Sequence, residues 1–183
     1  MAAFAEPFRR ATPRALLALI VAVVLLGMAG GLFFQHVLKL EPCPLCILQR
    51  VAIIGVGAFA AAGLLARGGR GQLAAAVLAT ACALVGAGIA AWHSWILVFP
   101  PESMSCGRPF EWFHQDFPLE TWLPKLFAGH GDCLKVEWTF LGLAIPNLSL
   151  IAFTLLIAAT VLAVRRSWQR LRLAAPGASA NGA

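Results

Sequence analysis

Cys43 and Cys46 are separated by Pro44 and Leu45, and this CxxC unit is the first place in the sequence where chemistry can be read. A disulfide across two intervening residues closes a very small ring. It gains little from loop closure, so it is a poor structural staple. It is a common redox arrangement, in which one thiolate attacks and the other resolves. Pro44 suits the first turn of a helix, which puts Cys46 within that turn. Unpaired backbone amides and the helix dipole favour an anion there. Arg50 lies four residues further on and shares the helix face of Cys46. A guanidinium and a helix N-terminus together are expected to favour the thiolate of Cys46.

Three further cysteines complete the set: Cys82, Cys106 and Cys133. Cys82 sits among Ala, Leu and Gly and is expected to act as a small apolar residue. The remaining four allow three arrangements: two structural disulfides, a tetrahedral metal site, or two exchanging dithiols. Structural zinc sites usually draw on two close pairs. Cys106 and Cys133 are 27 residues apart, which weakens the metal reading; the expectation is no metal. Ile47 follows Cys46 where c-type haem attachment needs His.

The elements that position these residues are membrane helices. Of 183 residues, 60% are hydrophobic and 12% charged. Soluble domains run nearer 45–50% and about 25%. Mean hydropathy is +0.81. Four stretches have the length and apolarity to cross a bilayer: about 15–34, 44–66, 73–98 and 143–164. Pro100 and Pro101 end the third. The first follows Arg9, Arg10 and Arg14, as a signal peptide would. Its apolar run of about 20 residues continues into Phe33 and Phe34, so a retained helix is expected. The fold class expected is an all-α membrane protein, a four-transmembrane-helix bundle.

Charge orients the bundle. The N-terminus, the connection at Arg67 and Arg70, and the tail carry nine basic residues against one acid, Glu6. The opposite side carries four basic residues and seven acids. Basic connections stay cytoplasmic, so both termini are expected inside. The loops at about 35–43 and 99–142 are then periplasmic. This leaves Cys43, Cys46, Cys106 and Cys133 on the oxidising side, where disulfides persist. The net charge of +6 reflects topology and not a nucleic-acid partner.

Three domains of organisation follow: residues 1–14 as a cytoplasmic N-terminus, 15–165 as one redox membrane domain, and 166–183 as a cytoplasmic, disordered tail. Between Cys106 and Cys133, Leu119–Phe127 mixes apolar and charged residues in the manner of a short helix on the membrane surface. Gly107, Gly129 and Gly131 give the two loop cysteines room to move.

Arg50 lies about 9 Å into a helix beginning at Pro44. Mid-membrane arginine costs about 2.5–3.5 kcal/mol on insertion scales. It either snorkels to the headgroups or holds a thiolate or polar ligand at the membrane edge. His93, between Trp92 and Trp95, is an interfacial polar residue or a hydrogen-bond donor to a ligand near Arg50. Gln49 is placed to help, with its direction open.

The run Cys43-Pro44-Leu45-Cys46-Ile47-Leu48-Gln49-Arg50, followed by Cys106, Glu111-Trp112, Trp122-Leu123-Pro124, Gly131-Asp132-Cys133, Trp138-Thr139-Phe140-Leu141-Gly142-Leu143 and Pro146, resembles the DsbB family of quinone-dependent disulfide bond formation proteins. The resemblance covers about residues 15–165. It implies a four-helix membrane bundle that reoxidises DsbA, a periplasmic thioredoxin-fold oxidase, and so sustains protein disulfide formation and folding; the periplasm is kept oxidising by this system. Carried over residue by residue, it implies redox pairs Cys43–Cys46 and Cys106–Cys133. Cys106 would form the mixed disulfide with the partner, and Cys133 would exchange with Cys43. Cys46 would pass electrons to ubiquinone or menaquinone, with Arg50 and His93 placing the ring. The nearest other enzymes are a DsbB paralogue with a dedicated substrate and a vitamin-K-epoxide-reductase-like quinone oxidoreductase. The downstream loop pair favours DsbB.

Overall fold

The computed structural model describes residues 12–100, 131–136 and 138–174. Four helices account for most of them: α1 (Pro13–His36), α2 (Pro44–Leu65), α3 (Gly69–Val98) and α4 (Ile145–Ala174). Each is long and apolar enough to cross a membrane. The expected bundle is therefore what forms. The Leu119–Phe127 helix and Cys106 lie outside the described residues.

Local sequence sets the helix ends. Thr12 caps α1, its hydroxyl accepting from the Ala15 amide at 3.2 Å, and Pro13 opens the first turn. Cys43 and Pro44 repeat that pattern at α2, with sulfur as the capping atom. α3 stops at Val98 because Phe99 precedes Pro100 and leaves helical geometry, at φ −124° and ψ 75°.

The helices pack in a ring, each on the next in sequence, with α1 closing against α4. Small residues on α3 make the close approaches possible. Ala76, Ala79, Ala83, Gly86 and Ala90 recur at three- and four-residue spacing and are buried. A methyl group at Gly86 would collide with the ring of Phe153 on α4. Leu16, Leu17, Ile20 and Val24 from α1 fill the core from the other side, with Val56 from α2. Large apolar side chains such as Leu26 and Leu155 point outward, at 73% and 66% exposure, as lipid-facing residues must. Thr80, Thr154 and Thr160 return their hydroxyls to carbonyls of their own helices.

The boundaries differ from the sequence expectation chiefly in α3, which begins at Gly69 instead of about 73, and in α4. The fourth helix begins at Ile145, not at Leu143. Leu143 and Ala144 form strand β2, paired antiparallel with β1 (Thr139–Phe140). The two residues between them, Leu141 at φ 52° and Gly142 at φ 81°, give the turn its left-handed pair. At its other end α4 runs to Ala174, so residues 166–174 are helical and not part of a disordered tail. That extension is packed. Ser167 is buried, Leu171 approaches Gly69, and the Arg172 guanidinium sits 5.1 Å from the Trp168 ring centre.

Candidate functional site

The site is assembled at one end of the bundle from α2, α3 and the segment 131–136. Cys43 is the N-cap of α2, and its Sγ accepts the Cys46 amide at 3.3 Å. One helical turn brings the two sulfurs to 2.8 Å. The CxxC is thus held by ordinary helix-capping geometry.

Cys133 reaches the same point from far along the chain. The Gly131 amide donates to the Pro42 carbonyl at 3.2 Å. Any side chain at Gly131 would run into the Glu41 carbonyl oxygen, so only glycine lets the two backbones lie together. Asp132 then turns the chain, its Oδ1 accepting the Leu134 amide at 2.9 Å. This buries Cys133 with Cys43 against Ile96 of α3.

Three sulfurs therefore converge, with Cys43 in contact with both Cys46 and Cys133. The Cys43 thiol is pushed above its ordinary range, first by its hydrogen bond to the Cys133 sulfur, then by the one to Cys46 and by burial.

His93 is the hub that ties α3 to this cluster. Its Nε2 lies 3.1 Å from the Cys133 carbonyl oxygen and 3.8 Å from the Cys43 Sγ. Its Nδ1 lies 3.5 Å from the Gln49 side-chain nitrogen. Those partners assign the tautomer: Nε2 carries the proton and donates to Cys133, while Nδ1 accepts from Gln49. Gln49 itself is buried. Cys82 stays apart, on α3 beside Gly55.

Arg50 lines the cavity on which this cluster opens. Its guanidinium donates to Gln35 Oε1, at the end of α1, at 2.8 Å. Two cavities, of about 130 and 280 Å3, meet at Cys46 and Arg50. The smaller contains Cys43, His93 and Cys133 in its wall. The larger runs between α1 and α4 and is mostly apolar, lined by Gly27, Met28, Ile53, Leu148 and Ala152. Phe34 and Trp138, whose rings are 4.8 Å apart, wall both. The larger cavity brings the Arg50 guanidinium and the Cys46 sulfur to the wall of one mostly apolar chamber.

The family model described as "Disulfide bond formation protein DsbB" matches residues 12–163. The chain belongs to the DsbB family. Among similar DsbB-family proteins, the disulfide bond formation protein B of Paracidovorax citrulli is 46% identical over 80% of this chain and 83% of its own length. That of Acidovorax sp. (strain JS42) is 46% identical over 78% and 82%. That of Albidiferax ferrireducens is 40% identical over 87% and 90%. Membership and the four candidate spans make this chain a multi-pass bacterial membrane protein. The family implies disulfide oxidoreductase chemistry.

Of the residues expected to act, the structure brings Cys43, Cys46, Cys133 and His93 into one cluster and puts Arg50 on the adjoining cavity wall. Two partners were not singled out from sequence in these roles. Gln35 anchors Arg50, and Gln49 holds His93. The available signal was a glutamine at a membrane-helix end, where an unpaired amide is costly.

Proposed function

We propose that this protein oxidises a soluble periplasmic dithiol protein of the DsbA type and delivers the electron pair to a membrane quinone, ubiquinone or menaquinone. One observation carries the reading: the Cys43 sulfur touches both Cys133 and Cys46, which is the placement thiol–disulfide exchange needs.

The steps balance as follows. A partner thiolate attacks Cys106 of a Cys106–Cys133 disulfide, forming a mixed disulfide and releasing the Cys133 thiolate. The partner's second thiolate then resolves it, and the partner leaves oxidised. Cys133 attacks Cys43, and Cys46 leaves as thiolate. Cys106 attacks Cys133, restoring the loop disulfide and freeing Cys43. The Cys43–Cys46 dithiol is now reduced. A bound quinone supplies an acceptor for two electrons and two protons, which returns Cys43 and Cys46 to the disulfide. Arg50 donates to the ring's polar edge, and Cys46 holds the reacting sulfur beside it. His93 keeps Cys133 next to Cys43.

The nine basic residues at the termini and at Arg67 and Arg70 support a cytoplasmic location for both ends. The thiol cluster is then periplasmic, and residues 15–165 are the redox domain, with 1–14 and 166–183 as its cytoplasmic ends. The test combines purified protein in detergent, a reduced DsbA-type partner and a water-soluble quinone analogue. Cysteine-dependent quinone reduction is expected. Its absence overturns the proposal.

A further inference from the structure

We propose that the fully reduced protein binds one thiophilic divalent cation, of the Zn2+ class, between Cys43, Cys46 and His93, with Cys133 as fourth ligand. This goes beyond electron relay and does not depend on it.

The donor atoms are already gathered. The Cys43 and Cys46 sulfurs and a ring nitrogen of His93 all lie within 4.8 Å of one another. Zinc–sulfur bonds of about 2.3 Å and zinc–nitrogen bonds of about 2.0 Å, arranged tetrahedrally, place donor atoms roughly 3.5–3.8 Å apart. The 3.8 Å from Cys43 to His93 is near that spacing, and the 2.8 Å between the two sulfurs must open by about 1 Å for both to bind the ion. Cys133 lies just outside that three-residue group, its sulfur hydrogen-bonded to that of Cys43, so it must move in to complete the set. The set is three cysteines and one histidine, a common structural zinc combination. It differs from a four-cysteine site in using His93 in place of Cys106.

The surroundings can turn His93 into a ligand. At present Nε2 donates to the Cys133 carbonyl and Nδ1 accepts from Gln49. Rotating the Gln49 amide end for end would present its oxygen to Nδ1. The ring proton then moves to Nδ1, and Nε2 has a lone pair free for the ion. A histidine ligand oriented through its other nitrogen is the usual arrangement. Three thiol protons are released, three thiolates enter, and the filled site carries one net negative charge. The Arg50 guanidinium, on the wall of the same cavity, complements that charge. No electron moves, because Zn2+ has no redox chemistry.

The ion and the disulfide compete. A Cys43–Cys46 disulfide has no thiolates to offer, so only the reduced form binds. Once bound, the ion holds the sulfurs that must be reoxidised.

The experiment uses the full chain in detergent, reduced with a phosphine under argon and titrated with Co2+. One equivalent should produce a thiolate-to-cobalt charge-transfer band and the visible bands of tetrahedral cobalt, and Zn2+ should bleach both. Cys82→Ser should leave the signal intact. Cys46→Ser should abolish the charge-transfer band or cut its intensity by at least a third, and His93→Ala should weaken Co2+ affinity at least tenfold. Protein oxidised at all its disulfides should show no such band. Because a variant can misfold, the unaltered chain provides a second readout: Zn2+ should slow alkylation of Cys46 at least tenfold and leave Cys82 unchanged. A missing thiolate band, equal binding by oxidised protein, or a band that needs Cys106 and not His93 overturns the proposal.

Discussion

His93 of α3 holds the backbone of Cys133, with Nε2 3.1 Å from its carbonyl oxygen, so a membrane helix fixes the position of a loop cysteine 40 residues away. The loop is therefore not simply tethered at its ends. It is docked on the bundle at the residue that must meet Cys43.

His93→Ala should undock that segment. A hydrogen bond of this kind contributes about 1 kcal/mol, close to a fivefold change in the docked population. Alkylation of Cys133 in the reduced protein should rise by about that factor, measured by mass spectrometry. His93→Gln, which retains a donor, should recover part of the protection. Unchanged labelling in His93→Ala would show that the contact does not hold the loop.

Gly131→Ala should separate the same two backbones from the other side. The new methyl group meets the Glu41 carbonyl oxygen. Overpacking of this type costs about 1–3 kcal/mol. Formation of a trapped Cys43–Cys133 disulfide in a Cys46→Ser background should fall about five- to a hundredfold. The helices should remain, with far-ultraviolet circular dichroism unchanged.

Arg50→Ala should raise the KM for a quinone analogue about ten- to a hundredfold, since a hydrogen bond from a charged group contributes about 1.5–3 kcal/mol. The KM for the thiol partner should move by less than twofold. Gln35→Ala should follow the same pattern more weakly, about fivefold, because it loses only the bond that steadies the guanidinium. An unchanged quinone KM in Arg50→Ala would leave that side chain as a snorkelling cation.

The Cys43 thiol should alkylate more slowly than an ordinary thiol across neutral and mildly alkaline pH. It is buried, and its raised pKa keeps it protonated where free cysteine has begun to ionise. Its labelling rate should therefore climb only well above the usual thiol range. A Cys43 rate that levels off near the free-cysteine pKa would contradict this.

Gly86→Leu should destabilise the bundle by about 1–3 kcal/mol or more, because Phe153 occupies the space at its Cα. Thermal unfolding in detergent should show the drop, whereas Gly30→Leu, which meets nothing, should be close to neutral.

The bundle was legible in the sequence because hydropathy and length report directly on a bilayer crossing. Cys43, Cys46 and Arg50 were legible because helical spacing is local. What escaped the sequence was either non-local or indifferent to polarity. Leu143 and Ala144 are as apolar as a helix start, and only the left-handed pair Leu141–Gly142 diverts them into a hairpin. Residues 166–174 carry charge, which ends a membrane span without ending a helix. His93 was expected near Arg50. Both line the smaller cavity, and His93 also reaches Gln49, the Cys133 carbonyl and the Cys43 and Cys46 sulfurs. No spacing rule within one helix announces a contact with a loop 40 residues on.

The sulfur of Cys43 has two duties, since it also accepts the amide of Cys46 and so closes the first turn of α2. That sulfur already touches Cys133 while it accepts the amide, so drawing it in to a full Cys43–Cys133 bond shifts the acceptor relative to the amide. Backbone exchange at Cys46 thereby becomes a gauge of which sulfur Cys43 is bound to. An isotopic label at that one amide, followed by infrared spectroscopy, would time the handover from inside the helix without touching a single thiol.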